Sequence, residues 1–300
     1  MSKLLTTLRL VPRTLRNHRA TTSAADSRNI FHKYRKIMDV PGGVFKGLSD
    51  RFNGVTIVSN EESAGDFGKR LTSSLDYWIE NKRRAIWFKV HLDQSDWIPI
   101  LTKNGFVFHH AKNDFVTLLR WLPTHEKVNI PVYSHTMIGV GGAVLSDNNE
   151  VLVVSERYSL IPNSWKLPGG YVEPKENLID AVIREVREET GVEAEFETVI
   201  SLRHSHGGSY DCSDMYVVIG LRPKTLELKR CEREISKLAW MPVEEYLNHE
   251  NVHETNRHFI KKFLDYRKLG IKIDCEEKRH QTLQKLYNLY SAKSLKDDSC

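Results

Sequence analysis

The chain has 300 residues, 40% of them hydrophobic and 28% charged, with a formal net charge of +5. That length leaves room for two domains of roughly 100–200 residues each, the charge is too small to argue for nucleic-acid binding, and no apolar run approaches the ~20 residues of a membrane span. Four widely spaced cysteines (Cys212, Cys231, Cys275, Cys300), with no CxxC pair, argue against a secreted disulfide framework or a structural zinc site and fit a reducing compartment.

Residues 1–28 form a basic leader. Lys3, Arg9, Arg13, Arg16 and Arg19 are separated by Ser and Thr, and no acidic residue precedes Asp26. Leu4, Leu5, Leu8 and Leu15 would make a loose apolar stripe on a helix. This is the composition of a mitochondrial transit peptide, so a matrix address is expected. The alternative is a basic arm that touches nucleic acid or anionic lipid and stays on a nuclear or cytoplasmic protein. Pro12 and the arginines interrupt any secretory apolar core.

Residues 50–123 read as a small α/β domain. Gly54–Ser59 and Ala85–Leu92 are β-rich runs, and Phe67, Leu71, Leu75, Trp78 and Ile79 recur at helical spacing between them. A short helix over Ser95–Lys103 and two strands, Phe106–His109 and Phe115–Trp121, complete a β-α-β-α-β-β order, which predicts helices on a mixed sheet. The domain has no carboxylate cluster, glycine-rich phosphate loop or nucleophile–base pair. Its expected role is packing and assembly of a homodimer, with Trp78, Trp87 and Trp97 as large apolar surfaces. His109 and His110 are adjacent in a strand, and alternation predicts opposite faces for them.

A second domain is expected over residues 132–268. Thr136–Ser146 and Val151–Glu156 read as strands joined at Asp147-Asn148-Asn149. Gly139, Gly141 and Gly142 lack the strand–turn–helix setting of a dinucleotide fingerprint, so they predict close packing within a strand. After the segment Gly169–Val192 come strands over Glu195–Arg203, Met215–Arg222 and Leu238–Met241, then a helix from Val243. Residues 269–300 are expected to be a basic helical tail, with Leu283, Leu286, Tyr287 and Tyr290 as a narrow docking stripe.

Gly169–Val192 reads GGYVEPKENLIDAVIREVREETGV: a tight loop, an amphipathic helix and a glycine stop. Pro174 suits the first turn and Gly191 a left-handed cap. Ile179, Val182, Ile183 and Val186 should face a core. Glu185, Glu188 and Glu189 stand at i, i+3 and i+4, a crowding that costs roughly 0.2–0.5 kcal/mol per pair. A hard divalent cation such as Mg²⁺ or Mn²⁺ would offset that, and oxygen ligands do not suit zinc. The order of Gly170, Glu176, Arg184-Glu185-Val186, Glu188-Glu189 and Gly191-Val192 matches every position of the Nudix box. The chain therefore resembles the Nudix hydrolases, which cleave nucleoside diphosphates linked to a second group. LLRWLP, TMIGVGGAV, LRHSH, SDMYVV and LAWMPVEEY are similar to the fibroblast growth factor antisense branch of that family and its plant members, from about Arg51 to Tyr246.

The resemblance implies an α+β fold, a mixed sheet sandwiched between helices and preceded by the small α/β domain. It also implies Mg²⁺ or Mn²⁺ as cofactor and a nucleotide small-molecule substrate. Glu185, Glu188 and Glu189 match the metal ligands, with a loop carbonyl at Gly169 or Gly170 completing the near side and one glutamate also serving as base. Arg184 should orient the glutamates, and Glu176 should pair with it. Glu234, six residues before Trp240, is a further candidate base or ligand, with Glu232 as its rival. Arg203, His206 and Trp165 are candidate substrate contacts. Plant members hydrolyse ADP-ribose and NADH, and some act on CoA derivatives. The extra signatures of NADH-specific and CoA-specific enzymes are missing here, as is the proline that marks many ADP-ribose enzymes. ADP-ribose or an NADH-like molecule is the expected substrate. CoA derivatives, capped RNA and a fold retained only for binding or regulation remain the alternatives.

Overall fold

A computed structural model describes residues 36–63 and 65–294. The basic leader lies outside the described residues. The chain divides into two compact units, 1–129 and 130–300.

The first unit is a six-stranded mixed sheet. Its strands are β1 (Lys36–Ile37), β2 (Leu48–Ser49), β3 (Val55–Val58), β4 (Ala85–His91), β5 (Val107–Ala111) and β6 (Phe115–Trp121), in the order β1-β2-β3-β4-β6-β5. Only β3 and β4 run parallel, and the connection between them carries helix α1 (Phe67–Glu80). The α1 helix starts where the Asp66 side chain accepts a hydrogen bond from the Lys69 N–H (3.2 Å), satisfying one orphan donor of the first turn. Its stripe of Phe67, Leu71, Leu75 and Trp78 is buried against Ile57, Ile86, Phe88 and Leu118 of the sheet. Helix α2 (Trp97–Lys103) closes the same core, with the Trp97 ring stacked on Phe67 at 4.3 Å between centroids. Trp78 and Trp97 are thus core residues. Trp87, one position out of phase with Ile86 and Phe88, is only half-buried.

His109 and His110 do not take opposite faces. A register shift between Phe108 and His110 inserts an extra residue into β5, and the two rings meet at Nδ1···Nδ1 2.8 Å. A bulge cancels the strict alternation on which that expectation rested.

The second unit is built on a four-stranded mixed sheet, β10-β11-β7-β9, and a two-stranded ribbon, β12-β8. The strands are β7 (Thr136–Val144), β8 (Glu150–Glu156), β9 (Gly169–Tyr171), β10 (Ala194–Ser205), β11 (Ser213–Pro223) and β12 (Ile235–Pro242). Strands β7 and β11 are parallel, and the other pairs in this unit are antiparallel. Alternation splits the side chains of β11. Val217, Ile219 and Leu221 pack with Ala181, Val182 and Val186 of helix α3 (Leu178–Thr190). Val218 packs on the other side with Phe259, Ile260 and Phe263 of helix α5 (Glu254–Leu269), which follows the short α4 (Val243–Asn248). Gly142 lets α3 approach: a Cβ there would stand 2.6 Å from Val186 Cγ2.

Two expectations need correction. Pro174 is not in the first turn of α3, which begins after Asn177. Lys175 adopts φ +72°, a left-handed conformation that breaks any helix running through Pro174. Residues 270–294 are not helical either. Gly270 (φ +66°) ends α5, and the chain forms a hairpin of β13 (Ile271–Arg279) and β14 (Leu286–Ser294). The 3–4 spacing of Leu283, Leu286, Tyr287 and Tyr290 fits a helix, but cross-strand pairing prevails. Lys293 reaches both Asp274 (3.4 Å) and Glu276 (3.2 Å) across the hairpin. The Ile273 N–H donates to Thr198 Oγ1 (2.9 Å) where β10 is bulged, so the hairpin lies against the edge strand of the main sheet and covers it.

Candidate active site

Four segments of the second unit converge on a cleft of about 500 Å³, one of them the start of β7 at Met137 and Gly139. The others are the end of β8 at Glu156, the loop and strand from Lys166 to Tyr171, and the end of β10 and start of β11 with the loop between them. The 166–170 segment is pinned from several sides. Lys166 exchanges both backbone hydrogen bonds with Val154 (2.9 Å each), the Gly142 N–H donates to the Pro168 carbonyl (2.8 Å), and β9 pairs with β7.

Helix α3 lies behind this segment and presents its acidic side to it. Glu189 is buried, and its carboxylate accepts a hydrogen bond from the Gly169 N–H (3.0 Å). Burial pushes its carboxyl up to about 7, partly opposed by the nearby Lys166 cation and that hydrogen bond. Glu185 packs on Gly170, where a Cβ would lie 2.7 Å from its carboxyl carbon. Arg184 makes a fork onto Glu176 (2.8 and 3.0 Å), bonds Glu185 (2.7 Å) and stands 3.7 Å from Glu188. Its remaining reach is to the Tyr171 carbonyl (3.2 Å). The Arg184 hydrogen bonds hold the Glu176 carboxyl below the usual glutamate range, and those with Glu176 and Glu185 raise the guanidinium's own pKa. Glu188 is more than half exposed. Gly191 closes the helix at φ +76°.

These side chains suit a hard divalent cation in kind. Three carboxylates lie along one helical turn, one of them buried with a single N–H donor, beside two glycines that leave the backbone bare. Among the described residues no three acidic, histidine or cysteine groups are already gathered into a cage. Glu185 is turned toward Arg184, so ligation by all three requires it to swing.

The far wall of the cleft holds Arg203, His206, Asp214 and Tyr216. Arg203 bonds Asp214 (2.7 Å) and lies over the Tyr216 ring (5.1 Å), and His206 Nδ1 is 2.9 Å from Ser213 Oγ. Glu234 and Trp165 are not among the residues lining the cleft, and neither are Glu176, Arg184, Glu185, Glu188 and Glu189, of which Glu185 and Glu189 reach only the Gly169–Gly170 segment that lines it. Glu234 is more than half exposed, beside Arg233 at 3.9 Å, and Glu232 pairs with Arg230 (2.8 Å). Trp165 packs against the Tyr246–Phe263 core, with its N–H bonded to the Asn251 carbonyl (2.9 Å).

Sequence reasoning missed Glu156, Lys166, Asp214 and Tyr216 as cleft residues. Only Lys166, four residues before Gly170, carried a local signal; the others enter through strand pairing.

Comparison with known proteins agrees with this architecture. The NUDIX domain model matches residues 135–263, and a second model, described as a Nudix hydrolase domain, matches residues 45–122. The chain is 38% identical to Nudix hydrolase 8 of Arabidopsis thaliana over 183 residues, 60% of this chain and 50% of that protein. It is 36% identical to Nudix hydrolase 5 of the same plant over 208 residues, 67% and 68% of the two chains. Against nucleoside diphosphate-linked moiety X motif 6 of Homo sapiens it is 33% identical over 214 residues, 69% and 67%. The match thus spans only half the length of the first of these relatives. The acidic helix beside a glycine pair, both units matched by family models and the extent of these alignments lead to one conclusion: the chain belongs to the Nudix hydrolase family.

Proposed function

We propose that the protein hydrolyses the pyrophosphate bond of a nucleoside diphosphate linked to another moiety, with ADP-ribose or an NADH-like molecule as substrate and Mg²⁺ or Mn²⁺ as cofactor. The observation that carries this reading is the acidic turn of α3 set beside Gly169 and Gly170 at the edge of a cleft that also contains cations. Glu185, Glu188 and Glu189, with the Gly169 carbonyl, would hold the metal. A bound divalent cation neutralises phosphate charge and makes water more acidic. Arg184, clamped by Glu176, holds Glu185 in the metal-free protein (2.7 Å) and would have to share that carboxylate with the metal. Arg203 and His206 face the cleft where phosphate or sugar oxygens would lie. A glutamate of the α3 turn takes the proton of the attacking water. That role falls less well on Glu234, which lies beside Arg233 (3.9 Å), whereas Glu189 and Glu185 stand against Gly169 and Gly170.

The test is purified full-length protein with Mg²⁺ or Mn²⁺ against ADP-ribose, NADH, CoA, dinucleoside polyphosphates and capped RNA, read by product mass. Cleavage between the two phosphorus atoms of ADP-ribose or NADH is expected. Tight binding without turnover of any of them would make this a Nudix fold kept for binding. The basic leader supports a mitochondrial address. A reporter fused to residues 1–40 should enter mitochondria, and diffuse signal would overturn that address. A homodimer assembled through the first unit is tested by light scattering on the full chain, where a monomer mass would reject it.

A further inference from the structure

Beside the acidic turn the cleft contains a second ionic device. Lys166 and Glu156 form an ion pair at the inner end of the cleft, and both side chains line it. The pair is fixed from the backbone outward. Lys166 is bridged to Val154 by two hydrogen bonds, and Glu156 lies two residues further along the same strand, on the same face, diagonal to Lys166. Three residues beyond Lys166, the Gly169 N–H holds Glu189. The ammonium is thus anchored close to the carboxylates proposed to hold the metal, and it is about one-third exposed. The opposite wall repeats the arrangement with Arg203 and Asp214 at 2.7 Å.

We infer that Lys166 binds the diphosphate of the substrate, and that Glu156 is its positioning partner. This rests on the proposed pyrophosphate chemistry and adds to it the group that receives the phosphate charge. Glu156 lines the cleft and Glu185 and Glu189 stand against its Gly169–Gly170 wall, so a dianionic or trianionic diphosphate entering there meets repulsion. A cation supplied from the protein offsets it. Lysine serves here as a point charge with three donors, which can release one carboxylate oxygen and take a phosphate oxygen without leaving Glu156 entirely. Glu156 keeps the flexible lysine chain extended along the strand, so less side-chain entropy is lost when the phosphate arrives.

The experiment measures ADP affinity by calorimetry in the presence of Mg²⁺, together with KM and kcat on whichever pyrophosphate substrate the full-length protein turns over. A charge-assisted hydrogen bond supports a loss of roughly 10- to 100-fold in ADP affinity for Lys166→Met, with KM rising by a similar factor. Lys166→Arg should recover most of it. Glu156→Gln should weaken ADP binding by less than Lys166→Met, since the cation remains. Lys237→Met is the control: its ammonium bonds Asn163 (2.9 Å) outside the cleft, so ADP affinity should not change. Thermal melts of each variant exclude loss of fold. Unchanged ADP affinity in a folded Lys166→Met protein overturns the inference, and so does an equal loss in Lys237→Met, which would show general electrostatics. If the wild type binds ADP through Lys166 but cleaves no pyrophosphate, the proposed activity fails and this inference stands.

Discussion

Helices α1 and α3 are close in length, 14 and 13 residues, and each lays one apolar stripe on a mixed sheet. Their other faces differ. The polar side of α1 mixes signs: Arg70 bonds Glu62 (2.5 Å) and the Val44 carbonyl (3.3 Å), and Asp66 caps the first turn. Helix α3 has no side-chain cap, turns three glutamates toward one edge and buries Glu189. The first arrangement is what stability favours. The second carries like-charge crowding and a desolvated carboxylate, costs that the proposed metal would offset.

That contrast can be broken most severely at the acidic turn. Glu188→Gln or Glu189→Gln should lower turnover by ~10²–10⁴, measured on the true substrate with saturating Mg²⁺. The double variant should lose little more, because ligands of one site act as a unit. Near-normal rates in either single variant would remove these residues from the metal site.

The matching break in α1 is Trp78→Ala. Trp78 is fully buried, and its truncation should cost about 3–5 kcal/mol in denaturant unfolding of the first unit. Its indole N–H has no hydrogen-bond partner among the described residues, so Trp78→Phe should cost much less than the alanine change. Equal losses would mean that the indole N–H does have a partner.

A smaller effect separates the caps. Asp66→Ala should destabilise by about 1 kcal/mol through loss of the Lys69 N–H acceptor, whereas Asn177→Ala in α3, where the side chain makes no backbone cap bond and reaches only the exposed Asp180 carboxylate (2.9 Å), should cost less.

The subtlest effects are in the pH dependence of the metal-free protein. The folded pKa of Glu189, about 7, lies above the usual glutamate value near 4.3. The unfolded chain therefore releases this proton first, and stability declines as pH rises from about 4.3 toward 7. Glu189→Gln should remove that decline and be the more stable form above pH 7. Glu176 has the opposite sign. Its folded pKa is depressed by Arg184, so its contribution is full above about 4.3 and is lost as pH falls through the folded value. The gap between wild type and Glu176→Gln should narrow on acidification below that point. Parallel pH profiles for all three proteins would show that these groups are not linked to folding.

Periodicity and composition by themselves determined the order of most strands and helices and the spacing of the carboxylates on α3. These are local properties: helical repeats of Leu71, Leu75 and Trp78, a glycine stop at Gly191, and carboxylates one turn apart, all readable within a few residues. The tertiary structure decided the features set by pairing between distant segments. It turned the stripe from Leu283 to Tyr290 into a hairpin, because cross-strand partners and the bulged edge at Thr198 outweighed helical spacing. It brought His109 and His110 together, since a bulge has no sequence period. It set Glu156 beside Lys166 and Asp214 beside Arg203, pairs 10 and 11 residues apart along the chain, and left Glu234 and Trp165 out of the cleft lining. Residue type foretells which groups can do chemistry; strand register decides which of them share a cleft.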